Sequence, residues 1–405
     1  MNTFDVIIVG AGPAGVSCAL MLGNSGLNVA LFEKSTFPRD KICGDALSLD
    51  IVGQLPRLSP EIFKKFETLA NKTSTYGVKI ISPKGYEIDL PFRKNGQKKN
   101  AYICERFVFD NFLYEQLADH PSIKVFQQTS VTNLVFSPTE VQVETDKGVF
   151  SAQLIVGADG AHSIVNKKTK TISVEKEHYS AGLRQYFKNV SGFHKDNYIE
   201  LHFFPELLPG YLWIFPLPDG KANVGLGVLS SSVSNKKMNL TEIFNNLIHH
   251  HPSLKHRFEN AEALTPIKGF GLPLGSKKRK LSGERFLLAG DAASLIDPFT
   301  GEGIGNAIRS GRVAAEIITK SFSQQDFSAE FLRKYDKELY SRIWNELRVS
   351  KQLQNLSKRA WFFDFIVKRT QKSRHLMDFL MDALENIHKK KIITGPKFLY
   401  HLLFK

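Results

Sequence analysis

Apolar and polar positions along the first 33 residues follow the order of a strand, a helix and a second strand. Asp5 to Val9 is apolar enough for a buried strand and runs into the glycine-rich turn Gly10 to Gly15. Helical spacing follows from Ala14 to Gly23, and a short apolar run covers Asn28 to Phe32. Strands of parallel sheets are buried on both faces and read as continuous apolar runs, so this segment predicts a βαβ unit.

Further along, the pattern changes to short strands and then to helices. The segment Asp45 to Leu55 predicts a helix, and residues 72–100 and 180–230 alternate like half-buried strands. Helical spacing returns in residues 302–320 and 326–390. The pattern therefore predicts an α/β nucleotide fold with an inserted β-rich region and a helical C-terminus.

Composition narrows the class of protein. The chain has 405 residues, 42% of them hydrophobic, which is enough for two or three globular domains. Three cysteines argue against a disulfide scaffold and indicate a reducing, cytoplasmic compartment. The apolar first 23 residues lack a basic leader and hold four glycines, so they predict a strand and turn rather than a signal peptide or a membrane span.

The basic excess is concentrated near the C-terminus. Net charge is +14, and residues 351–405 contain 12 Lys/Arg against 4 Asp/Glu. Such an excess is typical of nucleic-acid binding, of an anionic membrane surface or of ordinary solvated faces. Trp361, Phe362, Phe365, Phe379 and Leu380 are mixed with these cations, which favours an interfacial helix over a nucleic-acid surface. A helix that packs on its own protein explains the pattern equally well.

The first motif with chemical meaning is Gly10-x-Gly12-x-x-Gly15. Gly10 permits a tight turn, Gly12 lets the backbone approach a pyrophosphate, and Gly15 lets the helix pack on the strand. The helix N-terminus then presents free N–H groups to phosphate. Glu33, at the end of the second strand, can accept both ribose hydroxyls and would repel a 2′-phosphate, which points away from NADP.

A second motif, "FLLAGDAASLIDPFTGEGIGNAI", places Gly290 and Asp291 after an apolar strand. Pro298, Gly301 and Gly303 then precede a helix whose positive end could face the N1/C2 edge of an isoalloxazine. The Asp would suit a ribityl hydroxyl, and the glycines would let backbone lie against the ring.

A third strand-to-turn segment, "LIVGADGAHSIV", carries Asp159. Each of these aspartates has an ordinary alternative role as a turn residue or a helix N-cap. Three such signatures in this order indicate a cofactor-binding site more specifically than any one of them alone.

These motifs, with Arg106 ahead of a helix, resemble the flavoprotein monooxygenase superfamily with the para-hydroxybenzoate hydroxylase fold over residues 1–320. Within it, "PGYLWIFPLPDGKANVGLGV" and "FPRDKICGD" are similar to the geranylgeranyl reductase family, which uses FAD to saturate double bonds of prenyl chains. That family usually reads Cys-Gly-Gly in this loop, whereas this chain has Cys43-Gly44-Asp45.

The resemblance implies a Rossmann-like FAD-binding domain with an inserted β-rich substrate domain and a helical C-terminus. The FAD-binding domain would comprise residues 1–71, 101–179 and 276–325, the substrate domain 72–100 and 180–275, and the helical region 326–405. The implied FAD contacts are Gly10, Gly12, Pro13, Ala14, Gly15, Glu33, Lys34, Arg39, Cys43, Gly44, Arg106, Val131, Asp159, Gly290, Asp291, Pro298, Gly301, Gly303 and Ile304. No metal site is predicted.

Tyr211, Trp213 and Phe215 alternate, so in a strand they share one face. Such a face above a flavin would make an apolar slot for a small apolar molecule or a prenyl lipid, and it is also typical of an ordinary core. Saturating an alkene needs a hydride and a proton, and Cys43 and Asp45 are the candidate proton donors. Cys43 could instead be a small packing residue.

Other activities remain open on the sequence. The same scaffold serves flavin hydroxylases, which would act on an apolar or aromatic substrate. Halogenases share "FPR" but carry Gly-Glu-Ser and WxWxIP where this chain has Cys43-Gly44-Asp45 and "YLWIFP". A further alternative is a non-enzymatic flavoprotein that binds nucleic acid or membrane, and only the basic excess supports it. Because no second GxGxxG occurs, the electron donor would be transiently bound NAD(P)H or a redox protein. We predict a cytoplasmic protein, peripheral at the inner face of the membrane, with no nucleic-acid partner.

Overall fold

The computed structural model describes residues 2–94, 97–374 and 376–378. In chain order its strands are β1 (Asn2–Val9), β2 (Val29–Phe32), β3 (Ala46–Leu47), β4 (Lys72–Thr75), β5 (Gly77–Ile81), β6 (Glu87–Pro91), β7 (Arg93–Lys94), β8 (Gln97–Lys98), β9 (Ala101–Cys104), β10 (Ile123–Phe126), β11 (Val131–Phe136), β12 (Val141–Thr145), β13 (Gly148–Gly157), β14 (Tyr179–Lys188), β15 (Ile199–His202), β16 (Tyr211–Pro216), β17 (Lys221–Leu229), β18 (Glu262–Ala263), β19 (Lys268–Pro273), β20 (Ser282–Gly283) and β21 (Phe286–Leu288). The α-helices are α1 (Pro13–Leu22), α2 (Leu49–Leu58), α3 (Pro60–Glu67), α4 (Arg106–Glu115), α5 (Ile164–Thr169), α6 (Ser230–Asn235), α7 (Leu240–His250), α8 (Ile304–Gln324), α9 (Ala329–Leu356) and α10 (Ala360–Lys372).

The first sheet is the Rossmann-like part of the fold. Its strand order is β10-β2-β1-β13-β12-β11, with β21 parallel to β13. The neighbours of β1, which are β13 and β2, are parallel to it, as the βαβ pattern predicts. Helix α1 packs so closely on α8 that a Cβ at Gly311 would lie 2.2 Å from the carbonyl oxygen of Ala14. This contact sets the glycine turn before α1 beside the start of α8.

The second sheet is mostly antiparallel and runs β18-β14-β17-β16-β15-β5-β6, with β19 beside β14. Alternate residues of β16 face opposite sides of it. Leu212 and Ile214 pack in the core with Phe244 and Leu247 of α7, whereas Tyr211, Trp213 and Phe215 belong to the opposite face.

A small sheet joins these two parts. Its order is β3-β9-β4, so residues 72–75 pair with 101–104, whereas residues 77–91 belong to the second sheet. The prediction of a helix over Asp45 to Leu55 was wrong at its start. The carbonyl of Asp45 accepts a hydrogen bond from the amide of Cys104, and Ala46–Leu47 pairs with β9. The helix begins only at Leu49, where the Ser48 side chain caps it.

Helices dominate the C-terminal part that the structure describes. The predicted helices appear as α8, α9 and α10, and most of the prediction for residues beyond 372, including Phe379 and Leu380, lies outside the described residues. Helix α10 lies against β6, where Asp364 accepts hydrogen bonds from Ser82 and Lys84. None of the described helices combines the length and the apolar character needed to cross a bilayer.

Candidate cofactor and substrate site

A cavity of about 1980 Å³ lies at the carboxyl ends of β1, β2 and β13. Ligand pockets usually measure roughly 300–1,000 Å³, so the volume is sufficient for a cofactor and a substrate together. The carboxyl edge of a parallel sheet is also the usual ligand site in this class of fold. With the exception of Gly15, every residue that the sequence analysis assigns to cofactor, catalysis or substrate lines this cavity.

Each glycine of the first motif has a distinct geometry. Gly10 has a φ of +99°, and a Cβ there would lie 2.5 Å from the carbonyl oxygen of Ala158. A Cβ at Gly15 would lie 1.9 Å from the carbonyl oxygen of Gly10, which explains why Gly15 packs behind the cavity wall. A Cβ at Gly12 would meet only an Arg39 nitrogen, at 3.8 Å. Gly12 therefore leaves open a cradle that a methyl group would enter, as a pyrophosphate at a helix N-terminus requires.

Glu33 is held in place at the end of β2. It accepts hydrogen bonds from the amides of Ala11 at 3.1 Å and Ser35 at 2.9 Å, and it lies 3.7 Å from the Arg39 side chain. A carboxylate has about four lone-pair sites, so Glu33 keeps acceptors for a ribose. Lys34 and Val131 line the same end of the cavity.

Sequence reasoning missed Asp110, which organises this region. Asp110 accepts from Arg106 at 2.6 and 2.8 Å and from Arg39 at 2.9 Å. Burial raises the pKa of Asp110, but the two guanidinium groups outweigh burial and hold that pKa below its usual range. The signal was present, because Arg106 and Asp110 are spaced i,i+4 on one helix.

Another part of the cavity wall is built by the second motif, which adjoins the first where a Cβ at Gly290 would lie 3.0 Å from the Cβ of Ala14. Gly290, with a φ of +62°, is followed by Asp291, which lies 3.4 Å from Lys41. Gly301 has a φ of +70°, and Gly303 caps α8, whose first residue is Ile304. The free N–H groups and the positive end of α8 therefore lie beside a backbone segment with little side chain.

Helix α9 holds this loop from behind through Ser350 and Gln354, two residues that sequence reasoning missed, as it missed Asp297 in the loop itself. Asp297 accepts from the amides of Phe299 and Thr300, both at 2.9 Å, and from the hydroxyl of Ser350 at 2.5 Å. Gln354 donates to the carbonyl of Pro298 at 2.6 Å. The C-terminal helices thus position the glycine loop as well as cover the fold.

Asp159 combines the two roles considered for it. One carboxylate oxygen accepts from the amide of Ile164 at 2.6 Å, as a turn or cap residue does. The other oxygen is buried without a partner among the residues that the structure describes, and Asp159 lines the cavity. Burial raises the pKa of this carboxyl. A ligand hydroxyl would satisfy the free oxygen.

Asp45 is the centre of a buried polar network. Its side chain accepts from Tyr186 at 2.6 Å, from Asn223 at 2.7 Å and from the amide of Arg106 at 3.3 Å. Burial raises the pKa of Asp45 to about 7, although Tyr186 and Asn223 lower it. Asp45 is therefore a carboxyl held by three donors at the cavity wall, and its assignment as a proton donor stays a prediction.

Asn223 connects this network to the face of Tyr211, Trp213 and Phe215. It donates to the carbonyl of Cys43 at 2.8 Å and accepts from the Trp213 indole at 2.9 Å. A Cβ at Gly44 would lie 3.0 Å from the Phe215 ring, so only glycine fits comfortably between loop and ring. Asn223 was missed, although it is a polar residue inside an otherwise apolar strand.

The three cysteines occupy different environments. Cys43 is half-buried and lines the cavity, whereas Cys18 and Cys104 are buried. Burial raises the pKa of the Cys104 thiol to about 12, and that of Cys18 further. Among the cysteines, only Cys43 is placed to act on a ligand.

FAD fits this arrangement of groups. The glycine cradle and the end of α1 suit a pyrophosphate, Glu33 suits a ribose, and Asp159 offers an unpaired acceptor. The glycine loop before α8 suits a flat ring, and the Tyr211–Phe215 face begins beside this loop, where the Tyr211 hydroxyl donates to the carbonyl of Thr300. The individual contacts stay predictions.

Comparison with known proteins agrees with this chemistry. The family described as FAD binding domain matches residues 3–350. Digeranylgeranylglycerophospholipid reductase of Methanosarcina acetivorans is 30% identical over 362 residues, which cover 85% of this chain and 81% of that protein. Menaquinone reductase of Mycolicibacterium smegmatis is 30% identical over 330 residues, which cover 79% and 77%.

The fold also matches a solved structure. The geranylgeranyl bacteriochlorophyll reductase-like protein of Thermoplasma acidophilum superposes with a TM-score of 0.80 at 24% identity, over 97% of this chain and 99% of that one. Taken with the family match over residues 3–350, the chain belongs to the geranylgeranyl reductase family of FAD-dependent oxidoreductases.

Proposed function

We propose that this enzyme saturates carbon–carbon double bonds of a prenyl lipid. The observation that carries the proposal is the apolar part of the cavity, which meets the cofactor groove at Cys43 and Gly44. Its walls come from β5, β15 and β16 and from the segment before β9, through Val78, Ile80, Phe92, Ile199, Leu201, Trp213 and Phe215. An apolar chain could lie there without leaving polar groups unpaired.

Reduced FAD, when bound, supplies the hydride. The residues of this chain must then exclude water, hold the alkene and deliver a proton to its second carbon. Trp213 and Phe215 form the apolar wall for the alkene. We propose that the Cys43 thiol delivers this proton to the alkene. Asp45 positions the Cys43 loop through Asn223.

The proposal is tested with the flavin reduced in the absence of oxygen. A prenyl lipid added to the reduced enzyme should reoxidise the flavin and appear as a product two hydrogens richer for each flavin oxidised. A product that carries a hydroxyl, formed only when oxygen is admitted, would instead support the hydroxylase activity that this scaffold also serves.

We further propose that the enzyme binds the surface of an anionic membrane through α10. Trp361, Phe365, Lys368 and Lys372 share one face of this helix, and Trp361 is 64% exposed. On its inner side, Phe363 packs 4.4 Å from Phe203, measured between ring centroids. Phe203 in turn neighbours Tyr211 and Phe299, which line the cavity.

Sedimentation with vesicles tests this surface. Vesicles that contain phosphatidylglycerol should carry the enzyme down, and pure phosphatidylcholine vesicles should carry less of it, since basic residues near an anionic surface add roughly 1 kcal/mol each. The double variant Trp361→Ala/Phe365→Ala should lose this binding. Leu264→Ala, which removes an exposed apolar side chain elsewhere, serves as the matched control. Equal binding by all three proteins would remove α10 from the proposal.

A further inference from the structure

One arm of the cavity extends from the cofactor groove along helices α2, α8 and α9. Helix α8 begins at Ile304, beside the glycine loop, and Arg312 follows just over two turns later. At 1.5 Å per residue, this position lies about 12 Å along the helix axis. Four arginines line this arm of the cavity: Arg57, Arg309, Arg312 and Arg342.

Two of the four arginines are neutralised within the protein. Arg309 donates to Asp50 at 2.6 Å. Arg342 donates to Glu316 at 3.2 and 2.7 Å and also to Glu338. Their charges are therefore balanced by carboxylates from the same helices or from a neighbouring one.

The other two arginines, Arg57 and Arg312, lack such a partner. In residues 2–94, 97–374 and 376–378, no carboxylate lies within 4.0 Å of either guanidinium. Arg312 donates one hydrogen bond, to Gln54 at 3.1 Å, and its Nε is buried with no partner in the described residues. Arg57 lies one turn beyond Gln54 on α2, so both face the same arm.

The charges around Arg312 do not cancel. Burial lowers the pKa of Arg312, Glu316 raises it, and the charges of Arg57, Arg342 and Arg309 lower it further. Glu346 also lines this arm, but among the described residues it forms no ion pair within 4.0 Å of Arg57 or Arg312. Like charges that converge in a partly buried place repel each other, and an anion between them removes that cost.

We propose that Arg57 and Arg312 form a phosphate-binding site in this arm of the cavity. Guanidinium groups recognise phosphate oxygens by paired hydrogen bonds, and Arg312 Nε is a donor in need of an acceptor. The proposal rests on the proposed reductase function, because it assigns the phosphate to a molecule that reacts at the flavin. The phosphate belongs either to the headgroup of the lipid substrate or to a nicotinamide dinucleotide that reduces the flavin.

The first experiment separates a lipid phosphate from the rest of the substrate. Arg57→Ala, Arg312→Ala and Arg312→Lys are compared with Lys320→Ala, which removes an exposed cation from the same helix outside the cavity. Each protein is reduced with dithionite and given a prenyl phosphate or the prenyl alcohol of equal length. For a headgroup site, the alanine variants should raise KM for the phosphate by about tenfold or more and leave KM for the alcohol unchanged, and Arg312→Lys should recover part of the loss.

The second experiment tests the dinucleotide source. The rate of flavin reduction by NADH and NADPH is measured without oxygen and without lipid. If the phosphate is that of the donor, the alanine variants reduce their flavin about tenfold more slowly at low dinucleotide concentration but turn over normally with dithionite. If the variants and Lys320→Ala behave alike with both the lipid substrate and the donor, the assignment of this phosphate to a molecule that reacts at the flavin is overturned.

A third measurement keeps this inference separate from the proposed function. Titration calorimetry with inorganic pyrophosphate on the FAD-loaded enzyme should show binding to the wild type and to Lys320→Ala, and at least tenfold weaker binding to the two alanine variants. This outcome would support the site even if wild-type enzyme reduced no prenyl lipid. Equal pyrophosphate binding by all proteins would overturn the site while leaving double-bond reduction intact.

Discussion

Asp45 shows how one buried residue can join the Cys43 loop to two strands of the second sheet. It has a φ of +67°, a conformation that Asp tolerates better than most residues, and its side chain is fully buried. Through Tyr186 and Asn223 it ties the Cys43 loop to β14 and β17. Compared with the Cys-Gly-Gly pattern that the sequence analysis expected, this chain has a residue that adds a titratable group to the network.

Replacing Asp45 by Asn should change how stability depends on pH. The folded-state pKa of about 7 lies above the ordinary value of 3.8, so the folded protein holds a proton that the unfolded chain has lost in this window. The stability from this group is present below pH 3.8 and is lost as pH rises through 7, by an amount on the order of 4 kcal/mol. Asn cannot titrate, so the wild type should lose stability relative to Asp45→Asn as pH rises.

Urea unfolding at a series of pH values from 4 to 8 measures this effect. The difference in free energy of unfolding, wild type minus Asp45→Asn, should fall steadily across that range. A constant difference would show that the network keeps Asp45 ionised throughout.

Removal of the Cys43 thiol tests whether this thiol donates the proton to the alkene. Cys43→Ala should bind FAD and be reduced by its donor at the wild-type rate, because the thiol is not needed for either step. Alkene reduction should slow by roughly 10²-fold or more, the usual size of general acid catalysis. Rapid-mixing measurement of flavin reoxidation by a prenyl lipid separates the steps. An unchanged reoxidation rate would leave Cys43 as a packing residue.

At the scale of elements, α1 and the turn before it explain why two neighbouring glycines have different tolerances. Gly12 has φ −75° and ψ −179°, angles that alanine adopts, and its Cβ would point into the cavity. Gly15 faces the turn itself, and its Cβ would overlap the Gly10 carbonyl. The first position would be limited by the predicted pyrophosphate, whereas the second is limited by packing.

Alanine at these two positions should separate binding from folding. Gly12→Ala should fold with the thermal stability of the FAD-free wild type but lose FAD, because the methyl group enters the pyrophosphate cradle. Gly15→Ala should lower the free energy of unfolding by about 1–3 kcal/mol or more, which is the usual cost of overpacking. Circular dichroism melts of FAD-free proteins and flavin absorbance after purification measure both. A flavin-loaded Gly12→Ala would contradict the placement of the pyrophosphate.

For the whole molecule, sequence periodicity predicts the local elements and motifs, but not the groups that meet across the chain. The turn at Gly10, the acid at Glu33 and the face of Tyr211, Trp213 and Phe215 each have a local signature. Asn223 and Asp110 act on residues 180 and 71 positions away, and an isolated strand or helix gives no indication of that partner. The start of α2 was misjudged for the same reason, since pairing with β9 outweighs local helical spacing.

Because both large sheets line one cavity, FAD should stabilise the molecule as a whole. A ligand that binds only the folded state adds about 2.7 kcal/mol at a hundredfold excess over its dissociation constant. In a Trp344→Phe/Trp361→Phe background, whose fluorescence comes from Trp213 in the second sheet, the melting temperature of the FAD-free protein should therefore rise with FAD concentration both by fluorescence and by far-ultraviolet circular dichroism. Gly12→Ala should show no such rise. A shift in only one of the two signals would mean that the sheets unfold separately and that the cofactor is held by the first sheet alone.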